Sequence, residues 1–192
     1  MNPTLETLIS RHSLGSKHLV EPGPDEAQIA LMAEAALHAP DHAELVPFRF
    51  RLVRGAARQG LAALFAQAAR DAGKGDDDAA LDAERARRAP MTVALVARID
   101  LGHPIVPAHE QWVAVGGALA NFVNAAHALG FAGKMLSGAK VRHPALQAAF
   151  CDAGETLVGW IALGTAARPT ATRAAKADAA AICRDWICKD WT

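Results

Sequence analysis

Little in this chain ties it to a charged polymer, a membrane or an oxidising compartment. Its 20 Lys and Arg are matched by 20 Asp and Glu over 192 residues, so it carries no general footprint for nucleic acid or an anionic bilayer. No apolar run approaches the length that spans a bilayer. The start, Met1-Asn2-Pro3-Thr4-Leu5-Glu6, has neither the basic nor the apolar region of a signal peptide. The three cysteines, Cys151, Cys183 and Cys188, are odd in number and late in the chain. They make no disulfide framework, and the expected location is a reducing cytoplasm. No Gly-x-Gly-x-x-Gly follows a strand pattern, which disfavours a Rossmann site, and a P-loop is disfavoured with it. The eight histidines show no ligand spacing. His38 and His42 are four apart, but Pro40 between them ends the helix, so their rings need not share a face. No metal is expected there, at the Asp76-Asp77-Asp78 run, or at Cys183 and Cys188, which lack a second ligand pair.

What is present reads as one globular domain over residues 1–165 with a C-terminal arm over 166–192. Hydrophobic residues make up 52% of the chain and charged residues 21%, a composition that buries a core. Helical spacing begins near Thr4, a candidate cap, with Leu5, Leu8 and Ile9. It resumes at Pro24-Asp25-Glu26 and ends at Pro40. Phe48-Arg49-Phe50-Arg51-Leu52-Val53 alternates as a half-buried strand does. Ala-rich helices follow on either side of a Gly73–Asp78 loop. Met91–Ala97 is β-prone throughout, the mark of a strand covered on both faces. From Pro107 to Leu129 lies the longest helix pattern, apolar on most sides, and a subunit interface is the natural place to bury it. Phe131–Ser137 is a short segment, Pro144–Phe150 a helix and Thr156–Leu163 a core strand. Trp186 and Trp191 in the arm are expected to dock on something. The class is α+β.

Two segments carry candidate chemistry. Arg11-His12-Ser13 offers a guanidinium fork and a hydroxyl suited to a phosphate, or simply a cation satisfying the carbonyls of a helix end. Gly130–Gly138 is glycine-rich, which lets a ring with several acceptors approach backbone N–H groups; a helix cap followed by an edge strand explains it equally.

The order of these motifs resembles that of the nitroreductase family, in its compact NAD(P)H nitroreductase branch. Arg11-x-Ser13 ends the first helix and Ala39-Pro40-Asp41-His42 ends the second. Val46-Pro47-Phe48-x-Phe50 opens a strand and Trp112 lies in the long helix. Gly130-Phe131-x-Gly133 runs on to Ser137-Gly138, and Leu163-Gly164-Thr165 closes a strand. The resemblance implies a nitroreductase-like fold with a central mixed sheet flanked by helices, forming an intertwined homodimer with FMN at the seam and NAD(P)H as co-substrate. It implies ping-pong hydride transfer to a nitro compound, quinone or similar small-molecule acceptor, with no nucleic-acid or membrane partner. The alternative is a dimer of the same fold that binds flavin or another ligand without turnover. By the same resemblance, Arg11, His12 and Ser13 hold the FMN phosphate and ribityl chain. His38 and His42 lie near or beside the flavin. Met135, Leu136 and Ser137 line it from the partner, and Gly164 and Thr165 come near the phosphate. No catalytic side chain is implied, because the reactive atom belongs to the cofactor. His12 replaces a second Arg, and Met135 and Leu136 stand where a large aromatic and a basic residue are common. A lost charge-assisted bond costs about 1–3 kcal/mol. The arm is expected to cross to the partner.

Overall fold

The structure is a computed structural model and describes residues 2–169, 177–183, 185 and 186. Cys188 and Trp191, and with them most of the expected docking arm, lie outside the described residues; Trp186 is exposed.

Helix α1 spans Pro3–Ser10. Its cap is Asn2, whose side chain accepts from the N–H groups of Thr4 and Leu5, and not Thr4 as the spacing predicts. Asparagine already sits one position ahead of a proline suited to the first turn. The two-residue strand β1, Leu19–Val20, has no periodic signal in the sequence. Helix α2, Glu26–Leu37, opens on a reciprocal capping box between Asp25 and Gln28 and stops before Pro40. Strand β2, Phe48–Val53, leads to helices α3, Ala57–Asp71, and α4, Asp76–Arg87, then to strand β3, Met91–Ala97, buried along its whole length. Helix α5 covers Ala108–Ala128, strand β4 Ala132–Leu136, helix α6 Pro144–Phe150 and strand β5 Thr156–Ala166.

Strand β5 is the centre of the sheet. It pairs with β3 along one edge and with β4 along the other, while β2 lies outside β3 and β1 meets the end of β5. The mixed sheet implied by the resemblance is, among the described residues, antiparallel at every pairing. Strands β2 and β3 turn back through α3 and α4, and β4 and β5 through α6, so a parallel ladder has to come from outside these residues.

The two faces carry separate cores. Met91, Val93, Leu95 and Ala97 pack with Met32, Val115 and Phe122 under α2 and α5. Ala94 and Val96 face the other way, against Leu61, Leu146, Phe150 and Trp160 under α3 and α6. This alternation explains why β3 reads as an unbroken apolar run. Buried Gln111 fastens the loop before α5: its amide donates to the carbonyls of Asp100 and Val106, and its oxygen accepts from Asp100 N–H. No described helix is long and apolar enough to cross a membrane.

Candidate functional site

The first candidate segment follows α1. The helix ends at Ser10, and Arg11 is already extended. The chain then runs along the edge of β4 that β5 leaves open, where Leu14 N–H donates to Gly133 O at 3.0 Å. This single bond lays Arg11-His12-Ser13 beside the strand that carries Met135 and Leu136. The turn is held from behind by α5. His127 Nε2 lies 3.0 Å from Ser10 Oγ, and His12 Nδ1 lies 3.3 Å from Ser10 O. Burial, together with the nearby Arg11 and His12, holds His127 below the usual histidine value, so at neutral pH its ring adds no charge to a turn that already carries Arg11.

Strand β4 can lie this close to β5 because of two glycines. A Cβ on Gly133 would come within 2.5 Å of Ala162 O. One on Gly159, at φ 157, would come within 2.3 Å of Leu136 O. Gly159 also sits where the β3–β5 register slips by one residue, past Val158. Ser137 Oγ donates to that residue's carbonyl at 3.0 Å, which fixes the end of β4.

On the sheet face away from α5 lies a cavity of about 720 Å³. Its walls come from α3, α4, β4 and the 3₁₀ turn Ala139–Arg142, and from Gly15-Ser16-Lys17, the continuation of the Arg11 turn. Leu136, Trp160, Phe65 and Leu61 give it an apolar lining, and Leu136 and Ser137 stand at its edge. Met135 points the other way, into the core under α5, and does not line the cavity.

Buried Asp82 reaches this cavity from α4. It accepts from Lys74 Nζ at 2.9 Å and from Arg85 at 3.4 Å, and it pairs with Lys140 Nζ at 3.0 Å. Burial pushes its carboxyl up, and the hydrogen bonds from Lys74 and Lys140 more than reverse this, leaving it below the ordinary value. Sequence reading missed Asp82, Lys74 and Lys140. Asp82 looks like one more acid on a solvated helix, and its two lysines come from separate loops.

His38 and His42 are not brought to this place within one chain. His38 caps α2 and borders a separate cleft between α1, α2 and α5. His42 Nδ1 lies 2.8 Å from Glu110 Oε2 in the first turn of α5. The loop after it holds three non-glycine residues at positive φ: Ala43 at 62°, Glu44 at 53° and Val46 at 46°. A β-branched residue there is strained. Asp41 Oδ2 accepts from Val46 N–H, and Arg98 donates to Val46 O, which holds the strain in place. Gly164 pairs with Ala132 of β4 and packs against Pro90, where a Cβ would come within 2.7 Å of the ring. Thr165 Oγ1 donates to Pro22 O at 2.8 Å. Both have evident structural duties at the β1 end of the sheet. Among the described residues no group of three or more His, Cys, Asp or Glu could hold a metal.

Comparison with known proteins places this architecture. Residues 10–165 match the model of the nitroreductase family. Over 164 residues the chain is 37% identical to YdjA of Escherichia coli K12, whose name assigns it to the NAD(P)H nitroreductases, covering 84% of this chain and 87% of YdjA. A nitroreductase-like protein of Bacillus cereus superposes with a TM-score of 0.79 at 17% identity, over 97% of both chains. A nitroreductase of Desulfovibrio desulfuricans, solved in complex with FMN, superposes with a TM-score of 0.72 at 20% identity, over 98% of this chain and 99% of that one. The family match spans both glycine-bearing strands and the Arg11 turn laid against them, and on this ground the chain belongs to the nitroreductase family.

Proposed function

We propose that this protein is an FMN-dependent NAD(P)H oxidoreductase that works as a homodimer. The observation that carries the reading is the Leu14–Gly133 bond. It sets the Arg11–Ser13 turn against the open edge of β4, with Arg11 and His12 at a small cleft beside His127 and Phe131 and the continuation Gly15-Ser16-Lys17 in the wall of a cavity large enough for a three-ring heterocycle. The residues fit the group. Arg11 and Ser13 supply a fork and a hydroxyl for a phosphate, with His12 beside them. The backbone N–H of Met135, on the open edge of β4 in the same chain, offers a donor to a ring, the Leu136 side chain gives an apolar wall and Ser137 closes that edge. Gly164 and Thr165 stand at the far end of the same sheet edge.

When bound, FMN supplies hydride acceptance and hydride donation. The protein orients it, excludes water on the Trp160 side and limits what can enter. Donor and acceptor use one opening in turn, which gives ping-pong kinetics. For a nitro acceptor the balance is R–NO₂ + NAD(P)H + H⁺ → R–NO + NAD(P)⁺ + H₂O.

The dimer rests on the outer face of α5. Trp112, Val113, Gly116 and Ala120 are all exposed along one stripe, beside Leu5, Leu8 and Ile9 of α1, which are exposed too. A Cβ on Gly116 would touch nothing within 4 Å, so contacts within the chain do not require glycine there, whereas close approach of a second helix does. An apolar stripe of this extent marks an interface. Within one chain His38 and His42 lie away from the cavity, so their place beside the flavin, which the family resemblance implies, rests on a second copy.

The purified protein is expected to show flavin absorbance, as isolated or after adding FMN, and to bleach on anaerobic mixing with NADH or NADPH. A colourless protein that binds no FMN at micromolar concentration would overturn the reading. Bound flavin that neither nucleotide reduces would leave a flavin-binding dimer without turnover.

A further inference from the structure

Behind the Arg11 turn stands a histidine that the flavin chemistry does not use. His127 lies in the last turn of α5 and is half-buried. Its Nε2 is 3.0 Å from Ser10 Oγ at the end of α1. Ser10 Oγ donates its hydrogen to Thr7 O at 3.2 Å, so it meets the ring as an acceptor and Nε2 carries a hydrogen. Nδ1 is then the atom that gains a proton when the ring becomes charged. The bond to Ser10 survives that gain, because Nε2–H donates in the neutral and the charged ring alike. Ser10 O in turn lies 3.3 Å from His12 Nδ1. His127 is thus tied through Ser10 to the head of the turn, and His12 leans on the same residue.

Few charges surround the ring. In the small cleft it shares with the turn, Arg11 and His12 are the other titratable side chains. From α5, β4 and β5 that cleft receives only apolar side chains and glycine, and α1 contributes the uncharged Ser10. The ring sits where α1 and α5 both end, and helix C-termini favour a cation. Burial, and then the like charge of Arg11 and His12, oppose this and keep the ring neutral in the flavin-free chain. An anion resting on Arg11 and His12 offsets that like charge and leaves burial alone against protonation. On the functional reading above, the anion is the FMN phosphate, which carries about −1.5 to −2 charge at pH 7.

We infer that His127 is a positioning residue for the cofactor phosphate: it braces the Arg11–Ser13 turn through Ser10 and takes up a proton from solvent when a phosphate settles on that turn. The inference deepens the proposed function and rests on it for the identity of the anion. The test titrates flavin-free protein with FMN, and with riboflavin, which lacks the phosphate, at about pH 8 and about pH 6. His127→Gln keeps a donor to Ser10 Oγ but cannot take the proton. His127→Ala loses both, and Ser10→Ala loses the brace alone. For FMN, His127→Gln is expected to stay within about twofold of the unaltered chain at the higher pH and to bind about fivefold more weakly at the lower. The titrations of the phosphate itself and of His12 are common to both proteins, so they cancel in the ratio. Both alanine variants are expected to weaken FMN about three- to tenfold at either pH. Riboflavin affinity should move by less than about twofold in every variant, since the brace and the charge act on the phosphate.

Calorimetry of FMN binding in two buffers of different ionisation enthalpy counts the proton directly. Midway between the two pH values, the unaltered chain is expected to take up more protons than His127→Gln. An affinity ratio that is the same at both pH values, or equal proton counts, overturns the inference while FMN binding, and the functional reading with it, stands. So does an equal loss of FMN and riboflavin affinity in the variants, because His127 would then support the fold at large. A protein that binds neither flavin overturns the functional reading and this inference together.

Discussion

Gly133 shows how far a single missing carbon reaches. With a Cβ 2.5 Å from Ala162 O, Gly133→Ala cannot be relieved by a rotamer change, because the obstacle is backbone. β4 must lift from β5, and the loss is expected to be about 2–4 kcal/mol by denaturant unfolding. An unchanged midpoint would mean that the strand pair has slack. Gly60 in α3 is the counter-case, since a Cβ added there would meet nothing within 4 Å. Gly60→Ala is expected to stabilise the fold by about 0.4–1 kcal/mol. At the turn, Arg11→Gln removes one charge-assisted grip. On the proposed function FMN affinity should fall about 10- to 100-fold, read by fluorescence titration, with the far-ultraviolet spectrum unaltered. Arg11 was legible because its turn is a contiguous motif. Asp82 was not, because a helix in sequence shows which residues repeat but not which of its faces is closed by a distant loop.

Among the elements, α5 does two jobs. Its inner stripe of Ala114, Val115, Ala118 and Phe122 is buried in this chain, with Phe122 stacked on Phe50 at 4.3 Å between centroids. Its outer stripe is exposed. The sequence could show that the helix is apolar nearly all round, and burial within one chain accounts for only half of that. Val113→Asp is expected to split the dimer and weaken FMN binding in parallel, as read by sedimentation and by flavin retention on gel filtration. A variant that stays dimeric would move the seam to another face. Strand β1 was invisible beforehand because two residues carry no period; its place comes from pairing with Thr165 and Ala166.

For the molecule as a unit, His127 and Asp82 are the two less exposed groups whose shifts bear on the acid side of stability, beside the exposed carboxyls Glu84 and Asp152, which Arg88 and Arg49 also hold low. His127 titrates lower in the folded chain than its ordinary 6.5, so the unfolded chain binds its proton first. Its contribution is complete above about pH 6.5 and is eroded as pH falls from there towards the folded value. Asp82 is held below 3.8. Its contribution is present above that value and lost as pH falls through the still lower folded one. The thermal midpoint is therefore expected to decline in two stages, one starting near pH 6.5 and one near pH 4. His127→Gln should flatten the first stage and leave the second. A first stage that survives the substitution would assign it to another histidine.

Local spacing was enough for the α+β class, the long apolar helix, the buried strand at 91–97, the second helix's acidic start and the two glycine-bearing segments, since each depends on neighbours within a few residues. The order of the motifs was enough to point to the family. Folding in three dimensions was needed to make β5 central and its ladders antiparallel, to lay the Arg11 turn on Gly133, to turn Met135 into the core, and to bring Lys140 from a distant turn onto the α4 carboxylate that Lys74, from the loop just before α4, also reaches. Those outcomes depend on long-range pairing and on which face of each element is covered, and neighbouring residues constrain neither.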